Sequence, residues 1–220
     1  MPSVSSAFPD TIAATAQTPI RPRWEWRVFE RAPASFIDTV GPWVDTDASF
    51  EIYILSANSA HNTKIRAGQL YVKCLEDMSP NGLELWRPAF KESFPLDSDA
   101  FAPLWKIWRI RAPRLTRSSY TMRRFLADIV GPRGDVLRAV TVTKARRKLT
   151  QFDCQAERAL LTAAGEQWET LALEDEDPER VLAALESLPP ERPRGSNYPA
   201  WLKRVVGFPE AFTLSTRAFI

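Results

Sequence analysis

Polar and apolar residues alternate strictly at the start of the patterned part of the chain, in the sequence "RWEWRVF". The apolar positions are Trp24, Trp26 and Val28. The charged positions between them are Arg23, Glu25 and Arg27. A period of two places these sets on opposite faces of a β-strand. The stretch therefore predicts a strand with one face on a hydrophobic core and one charged face.

The sequence "KIRAGQLYVK" predicts a β-hairpin of the same design. With Ala67 and Gly68 as a two-residue turn, the paired positions are Arg66 with Gln69, Ile65 with Leu70, Lys64 with Tyr71, Thr63 with Val72 and Asn62 with Lys73. Paired residues share a face, so one face is polar and cationic while the other is apolar. A shift of one residue would destroy this separation. An ordinary antiparallel sheet with one solvated face is the simplest interpretation of the hairpin alone.

Further strands are predicted by "FEIYILS", by "GLELWRPAF" after a turn at Pro80-Asn81-Gly82, and by "WETLALE". The segment 118–150 is expected to form a long hairpin that turns around Gly131 to Asp135. The sequence "FDCQAERALL" is interpreted as a strand, although "QAERALL" alone would also suit a helix.

Helices are predicted at the connections between these strands. A short one is expected in "PASFIDTVGPW", ending near Gly41, and another in "DSDAFAPLWKIWRI", where Pro103 kinks the helix or delays its start. "DPERVLAALESL" is amphipathic with Asp177 as its N-cap, and "YPAWLKRVVG" ends at Gly207. Together these elements predict an α+β fold over residues 22–208: a closed antiparallel β-barrel of about eight or nine strands with helices packed outside.

Composition supports a folded domain and disfavours several function classes. Of the 220 residues, 45% are hydrophobic and 11% aromatic, and the net charge is only +2, so any polyanion site must come from local clustering of charge. Cys74 and Cys154 suggest neither a disulfide framework nor a thiolate metal site, which fits a reducing, cytoplasmic environment. His61 is the one histidine, which makes zinc chemistry unfavourable.

Both ends of the chain are expected to lie outside the domain. Residues 1–21 have no Lys or Arg before Arg21 and no continuous apolar core, so they are interpreted as a disordered leader and not as a secretory signal. Residues 209–220 are interpreted as a C-terminal tail. No apolar run approaches the ~18 residues that a membrane helix needs, so no membrane partner is expected.

The charged faces of the strands suggest a common cavity. If the apolar faces lie outward beneath the helices, the charged faces line the interior of the barrel. Burying unpaired cations costs roughly several kcal/mol each, so such an interior must hold water, counter-charges or an anionic ligand. A triphosphate carries about four negative charges and suits both Arg and Lys. Carboxylates in the same lining suit Mg²⁺ or Mn²⁺.

At these residues the chain resembles the CYTH or triphosphate tunnel metalloenzyme superfamily, which includes inorganic triphosphatases, thiamine triphosphatases and class IV adenylate cyclases. The family's opening Glu-x-Glu-x-Lys motif is similar to "RWEWR", with Arg23 for the first Glu, Glu25 as the second and Arg27 for the Lys. The next motif, an Arg-rich strand, a Gly turn and a Thr-x-Lys strand, resembles "KIRAGQLYVK". The resemblance extends from about Arg23 to Gly207.

Three later motifs follow in the family's order. A Lys-x-Arg strand is similar to "KAR", which gives Lys144 and Arg146, and the acidic residue of the following strand falls at Glu157. The terminal Glu-x-Glu resembles "LALE", with Ala172 for the first Glu and Glu174 as the second. A Ser-Tyr motif resembles the start of "NYPAWLK".

The resemblance implies a β-tunnel that grips a triphosphate with cations and a metal ion with carboxylates. The implied substrate-binding residues are Arg27, Lys64, Arg66, Lys73, Lys144 and Arg146. The implied ligands of one Mg²⁺ or Mn²⁺ are Glu25, Glu157 and Glu174. Glu25 and Arg27 are the implied catalytic residues, although Arg27 stays protonated and cannot accept a proton as the family's Lys could.

The leading function hypothesis is metal-dependent hydrolysis of inorganic tripolyphosphate or of an organic triphosphate. The alternative is a catalytically weak or inactive module that binds polyphosphate or a nucleotide, which the loss of carboxylates at Arg23 and Ala172 favours. Nucleotide cyclisation is less favoured because nothing marks an adenine pocket. Nucleic-acid binding is disfavoured because the cations are interleaved with carboxylates on inward faces. The sequence identifies neither the substrate nor whether the chain forms a homodimer.

Overall fold

The structure of the chain is a computed structural model. It describes residues 21–32, 43–149 and 153–209. The predicted leader, the helix predicted in "PASFIDTVGPW" and the C-terminal tail fall almost entirely outside these ranges. Among the described residues, no helix combines the length and the apolar character needed to cross a membrane.

The described part of the chain consists mainly of strands, with short helices after β6, after β7 and after β10. The strands in chain order are β1 (Arg23–Arg31), β2 (Val44–Ser56), β3 (Asn62–Arg66), β4 (Gln69–Met78), β5 (Glu84–Ser93), β6 (Leu96–Asp97), β7 (Ser119–Tyr120), β8 (Leu137–Leu149), β9 (Gln155–Ala163) and β10 (Glu166–Asp175). The helices are α1 (Ala102–Trp108), α2 (Met122–Arg124), α3 (Pro178–Glu186) and α4 (Tyr198–Val205). A 3₁₀ turn at Ser98–Phe101 precedes α1, and α2 continues into a π-helical segment, Phe125–Val130, and a 3₁₀ turn, Gly131–Arg133.

Eight of these strands close into one barrel, in the order β1-β10-β9-β8-β2-β3-β4-β5. All neighbouring strands are antiparallel, and β1 closes the barrel by pairing with both β10 and β5. The strands β6 and β7 form a separate two-stranded sheet. The predicted α+β fold with a closed antiparallel barrel is confirmed.

The predicted hairpin is present with its predicted register. All five pairs are those read from the sequence, from Arg66 opposite Gln69 to Asn62 opposite Lys73. The turn has φ of 47° at Ala67 and 72° at Gly68. Positive φ at both central residues is what a tight two-residue hairpin turn requires. The glycine supplies one of these conformations without strain.

Two helices cover apolar faces on the outside of the barrel. Helix α3 packs against β1 and β10, where Trp26, Val28, Leu171 and Leu173 are buried. Helix α1 packs against β2, β3 and β4, and Trp108 donates a hydrogen bond from Nε1 to Thr63 Oγ1 at 2.9 Å. These apolar residues alternate along their strands with the charged residues, so the charged faces are turned toward the interior.

Helix α4 packs instead on inward-facing residues at one end of the barrel. Its Tyr198 and Trp201 lie in one buried cluster with Tyr53 and Val140, which share the inward parity of their strands. Asn197 caps the helix, because its side chain accepts a hydrogen bond from the backbone N–H of Ala200 at 2.9 Å. The apolar part of the interior is therefore filled by α4, and the remaining part is lined by charge.

The prediction of a long hairpin over 118–150 is wrong in its first arm. That arm contains the two-residue strand β7, which pairs with β6 and not with β8, followed by α2 and the π-helical segment; the second arm is the strand β8. Thr121 caps α2 by accepting from the N–H of Arg124 at 3.3 Å, and Phe125 and Ile129 are both buried near Trp108. Apolar residues four apart lie on one helical face, so packing against α1 favours the helix. The strand interpretation of "FDCQAERALL" is confirmed by β9.

Candidate functional site

A cavity of about 780 Å³ occupies the charged part of the barrel interior. All nine residues that the sequence assigned to substrate binding, metal binding or catalysis line it: Glu25, Arg27, Lys64, Arg66, Lys73, Lys144, Arg146, Glu157 and Glu174. They come from six strands, β1, β3, β4, β8, β9 and β10. Their convergence therefore depends on closure of the whole barrel, and their individual roles stay predictions.

Glu51 of β2 is the centre of the cationic side of this cavity. Its carboxylate is fully buried, with Arg146 Nη2 at 2.7 Å, Lys144 Nζ at 2.8 Å and Lys64 Nζ at 3.2 Å. Arg66 Nη1 lies 3.8 Å from the same group. We call Glu51, Lys64, Arg66, Lys144 and Arg146 the Glu51 cluster. Arg146 also contacts Asp47 at 3.2 Å and Glu157 at 3.5 Å, but Glu51 offers a single negative charge to Lys64, Arg66 and Lys144, which leaves an excess of positive charge in this cluster.

The pKa values in the Glu51 cluster reflect this excess. Burial alone would raise the pKa of Glu51, but Lys144 and Lys64 hold it far below its usual range. The pKa of Lys144 lies well below its usual value because burial and the nearby Lys64 disfavour its charge more than Glu51 favours it. Burial also lowers the pKa of Lys64. An anion entering the cavity would favour the charged form of both lysines.

Two tyrosines extend the Glu51 cluster toward α4. Tyr53 donates a hydrogen bond to Glu51 at 2.8 Å, and Lys144 Nζ donates to the Tyr53 hydroxyl at 2.7 Å. The ring centroid of Tyr198 lies 3.7 Å from Lys144 Nζ. The Tyr198 hydroxyl is buried and has no hydrogen-bond partner among the described residues. Burial raises the pKa of Tyr198, so this hydroxyl stays protonated as a donor in the cavity wall.

Arg27 is the centre of the opposite arrangement, a cation among carboxylates. Its Nε donates to Glu25 at 2.7 Å, its Nη1 donates to Thr170 Oγ1 at 3.3 Å, and Nη1 lies 3.9 Å from Glu157. We call Glu25, Arg27, Glu157 and Glu174 the Arg27 cluster. Burial would lower the pKa of Arg27, but Glu25 raises it above its usual value. Burial would likewise raise the pKa of Glu25, but Arg27 and Lys73 lower it.

Glu25 also has a carboxylate on each side of it. In the barrel register it lies opposite Glu174 of β10 and opposite Glu84 of β5. Burial, together with Glu25, raises the pKa of Glu174. Burial raises the pKa of Glu84 to about 7, even though Asn197 donates a hydrogen bond to it at 2.7 Å. Like charges directly opposite one another are unfavourable, which explains why these outer carboxylates hold protons more tightly.

The predicted metal ligands are present in the cavity but are paired with cations. Glu25 is bonded to Arg27, Glu157 lies 3.5 Å from Arg146, and Glu174 lies 3.8 Å from Lys73. Within the described ranges, no three His, Cys, Asp or Glu side chains are grouped so that they could hold a metal ion. The carboxylates are suitable donors for Mg²⁺ or Mn²⁺, but their arrangement does not form a ready set of ligands.

Three residues of the site were not identified from the sequence: Glu51, Tyr53 and Glu84. A signal was available for Glu51, because it is the one charged residue inside the strand "FEIYILS" and has the parity of Tyr53 and Leu55, which are buried on the inward face. A charged residue in a strand that is otherwise apolar is itself an indication of a buried ion pair. Glu84 follows the Asn81-Gly82 turn and gave no comparable pattern.

Two neighbouring arginines of β8 lie on opposite faces of the barrel wall. Arg146 lines the cavity, whereas Arg147 is exposed and donates to Asp45 at 2.6 Å. This agrees with the opposite parity of the two positions in the strand. Arg23, which stands at the first Glu position of the motif that "RWEWR" resembles, lies 3.7 Å from Glu174.

Comparisons with known proteins find likenesses in fold alone. No family model matches the chain, and no curated protein matches its sequence. A Bacillus halodurans protein described as a proposed adenylate cyclase is 10% identical over 90% of this chain and 97% of its own, with a TM-score of 0.41. The Hippeastrum protein HpAC1, described as a proposed adenylyl cyclase with a dominant triphosphatase activity, is 12% identical over 90% and 93%, with a TM-score of 0.38. Identities and TM-scores this low transfer no activity or residue role to this chain.

Proposed function

We propose that the cavity binds the triphosphate group of a small molecule and hydrolyses it. The observation that carries this proposal is the Glu51 cluster, in which Lys64, Lys144 and Arg146 meet around a single buried carboxylate. Cations that lack sufficient counter-charge in a confined space are costly unless an anion joins them. The order of motifs that resembles triphosphate tunnel enzymes supports the same ligand.

The lining offers the kinds of donor that phosphate oxygens accept. Arg146 provides a planar fork, whereas Lys64 and Lys144 provide point charges. The Tyr198 hydroxyl supplies a buried donor that has no partner among the described residues. The cavity volume of about 780 Å³ lies within the range of pockets that enclose small ligands. A triphosphate along this wall would replace its hydrogen bonds to water with hydrogen bonds to these side chains.

Hydrolysis would add water to a terminal phosphorus and break the bridging P–O bond, which releases phosphate and leaves a diphosphate. Such a reaction depends mainly on alignment and on stabilisation of charge on the phosphate oxygens. The cations of the cavity supply both. Glu25 and Arg27 remain the proposed catalytic pair, with Arg27 as a fixed positive charge because a guanidinium keeps its proton.

A second candidate is a module that binds triphosphates without hydrolysing them. The bond of 2.7 Å between Arg27 and Glu25 favours it, because the carboxylate is engaged and its pKa lies below its usual value. A carboxylate in that state is a poor acceptor for the proton of an attacking water. Binding is common to both candidates, and turnover separates them.

The first test is calorimetric titration of the full chain with tripolyphosphate in the presence of EDTA. We expect saturable binding that Arg146→Met weakens by about ten- to a hundredfold, as expected for loss of a charged hydrogen bond. Arg147→Met is the matched control, since it removes the same charge from the outer face of the same strand and should leave affinity unchanged. Equal loss in both variants, or no binding at all, would contradict the proposed site.

The second test measures release of phosphate from tripolyphosphate, ATP and thiamine triphosphate with Mg²⁺ or Mn²⁺. Turnover that Arg146→Met abolishes and Arg147→Met preserves would support the hydrolase. Binding without turnover would instead support the second candidate. Formation of cyclic AMP from ATP would overturn the hydrolase assignment in favour of cyclisation.

A further inference from the structure

Arg27 contacts two of the three predicted metal ligands, Glu25 and Glu157. Its side chain is 8% exposed, it is bonded to Glu25 at 2.7 Å, and it lies 3.9 Å from Glu157. Thr170 accepts a hydrogen bond from it, and the Tyr198 ring centroid lies 4.8 Å from its Cζ atom. The guanidinium is thus held on several sides. Because it cannot lose its proton, it places a permanent positive charge among the carboxylates.

The neighbouring residue Ala172 provides the space for this arrangement. In the barrel register Ala172 lies opposite Arg27 on one side and opposite Glu157 on the other. Because the side chain of Ala172 is only a methyl group, the Arg27 guanidinium and the Glu157 carboxylate can approach each other to 3.9 Å on either side of it. A glutamate at this position would add a carboxylate and fill the space. Arg27 and Ala172 are therefore complementary in size and charge.

The remaining carboxylates of the Arg27 cluster are also compensated. Glu157 lies within 4 Å of both Arg27 and Arg146, and Glu174 lies 3.8 Å from Lys73 and 3.7 Å from Arg23. A divalent cation entering the cavity alone would have to displace these cations or lie beside them. Coulomb repulsion between such charges is strong in a partly buried site.

We propose that Arg27 takes the place of a resident divalent cation, so that the free protein binds no metal in this cavity and receives it only together with a triphosphate. This inference rests on the proposed function. The entering triphosphate carries about four negative charges, which attract both the cations of the Glu51 cluster and an accompanying divalent cation. The predicted Mg²⁺ or Mn²⁺ is then a companion of the substrate and not a permanent component of the protein.

The test is Mn²⁺ binding to the full chain, followed by electron paramagnetic resonance, with no phosphate present. We expect no saturable site tighter than about 1 mM in the wild-type protein, the range of weak carboxylate sites. We expect Mn²⁺ to stay with the protein through gel filtration only when a non-hydrolysable imido analogue of tripolyphosphate is present. A tight site in the free protein that Glu25→Gln and Glu157→Gln remove would overturn the inference.

Two variants extend the test. Ala172→Glu and Arg27→Met each make the lining more acidic, and we expect either to bind Mn²⁺ alone at least about tenfold more tightly than the wild type. Arg31→Met, on the same strand but in an exposed pair with Glu166, is the control and should not bind Mn²⁺. Should both acidic variants fail to fold, the wild-type measurement still decides the question.

The titration with tripolyphosphate in EDTA keeps the two proposals distinguishable. Metal binding by the free protein, with triphosphate binding intact, would overturn only the inference about Arg27. Loss of triphosphate binding, with or without Mn²⁺, would overturn the proposed function and with it this inference.

Discussion

The two charge clusters of the barrel interior have opposite designs. The Glu51 cluster is one carboxylate surrounded by cations, and the Arg27 cluster is one guanidinium surrounded by carboxylates. They are joined by Arg146, which contacts both Glu51 and Glu157. The first cluster lacks negative charge, whereas in the second each of the predicted metal ligands already contacts a cation. The difference indicates that the Glu51 cluster is where an anion is required and that the Arg27 cluster is already compensated.

Removing the central carboxylate should have the largest effect. Glu51→Gln leaves several cations without their counter-charge, and breaking a buried ion pair in this way costs about 3 to 5 kcal/mol in free energy of unfolding. Urea unfolding measures this loss. Tripolyphosphate should restore part of the stability, because it replaces the missing negative charge.

Glu76→Gln is the control for this variant, since Glu76 pairs with Arg87 on the surface and its loss should cost less than about 1 kcal/mol. Equal stability of Glu51→Gln and the wild type would show that the Glu51 cluster is not held together by its carboxylate.

Glu84, which lies opposite Glu25 in the barrel register, should affect the pH dependence of stability. The pKa of Glu84 is raised to about 7, so the folded state binds this proton more tightly than the unfolded state, whose carboxyl has the usual pKa near 4.5. The proton on Glu84 therefore stabilises the folded state at low pH. This contribution, up to about 3 kcal/mol in free energy of unfolding, is lost as the pH rises through the interval between the two pKa values.

Glu84→Gln imitates the protonated form and should remove this loss. Urea unfolding at pH 5 and pH 8 gives the free energy of unfolding of the wild type and of the variant. The difference between the two proteins at each pH separates the effect of Glu84 from that of the other carboxylates. The exposed Glu166, changed to Gln, should keep the wild-type pH dependence. A variant Glu84→Gln with the same pH dependence as the wild type would contradict the raised pKa.

The smallest effect is expected at the residue that contacts both clusters. Tyr198 lies 4.8 Å from Arg27 and 3.7 Å from Lys144, measured to its ring centroid, and its hydroxyl has no partner among the described residues. Tyr198→Phe keeps the ring and removes the donor. We expect triphosphate affinity to fall up to about tenfold, with unchanged or slightly higher stability. Lower stability with unchanged affinity would show that the hydroxyl serves the fold.

The elements that depend on the local pattern of polar and apolar residues could be predicted from the sequence. The hairpin register followed from a period of two and a turn residue at Gly68, because a shift of one residue would have placed cations on the face that α1 covers. The prediction for the first arm of 118–150 was wrong because its residues suit both a strand and a helix. The helix is favoured once Phe125 and Ile129 pack in the same buried cluster as Trp108. That choice is made by tertiary packing and not by local propensity.

The nine residues that the sequence placed in the cavity do line it, but their pairings were not predictable. Parity placed Arg27, Lys64 and Lys144 on inward faces, and barrel closure brings them together. Which carboxylate meets which cation depends on register between strands distant in sequence, as where Ala172 lies between Arg27 and Glu157. No local pattern contains that information. For the same reason, the central role of Glu51 became visible only in the folded chain.

A crystal structure of the chain with the imido analogue of tripolyphosphate would show whether the charged interior of the barrel binds a triphosphate. We expect phosphate groups inside the barrel, with oxygens within hydrogen-bond distance of Lys64, Lys144 and Arg146. Phosphates bound only on the outer surface, with these three side chains still in contact with Glu51 and with no phosphate, would contradict the proposal.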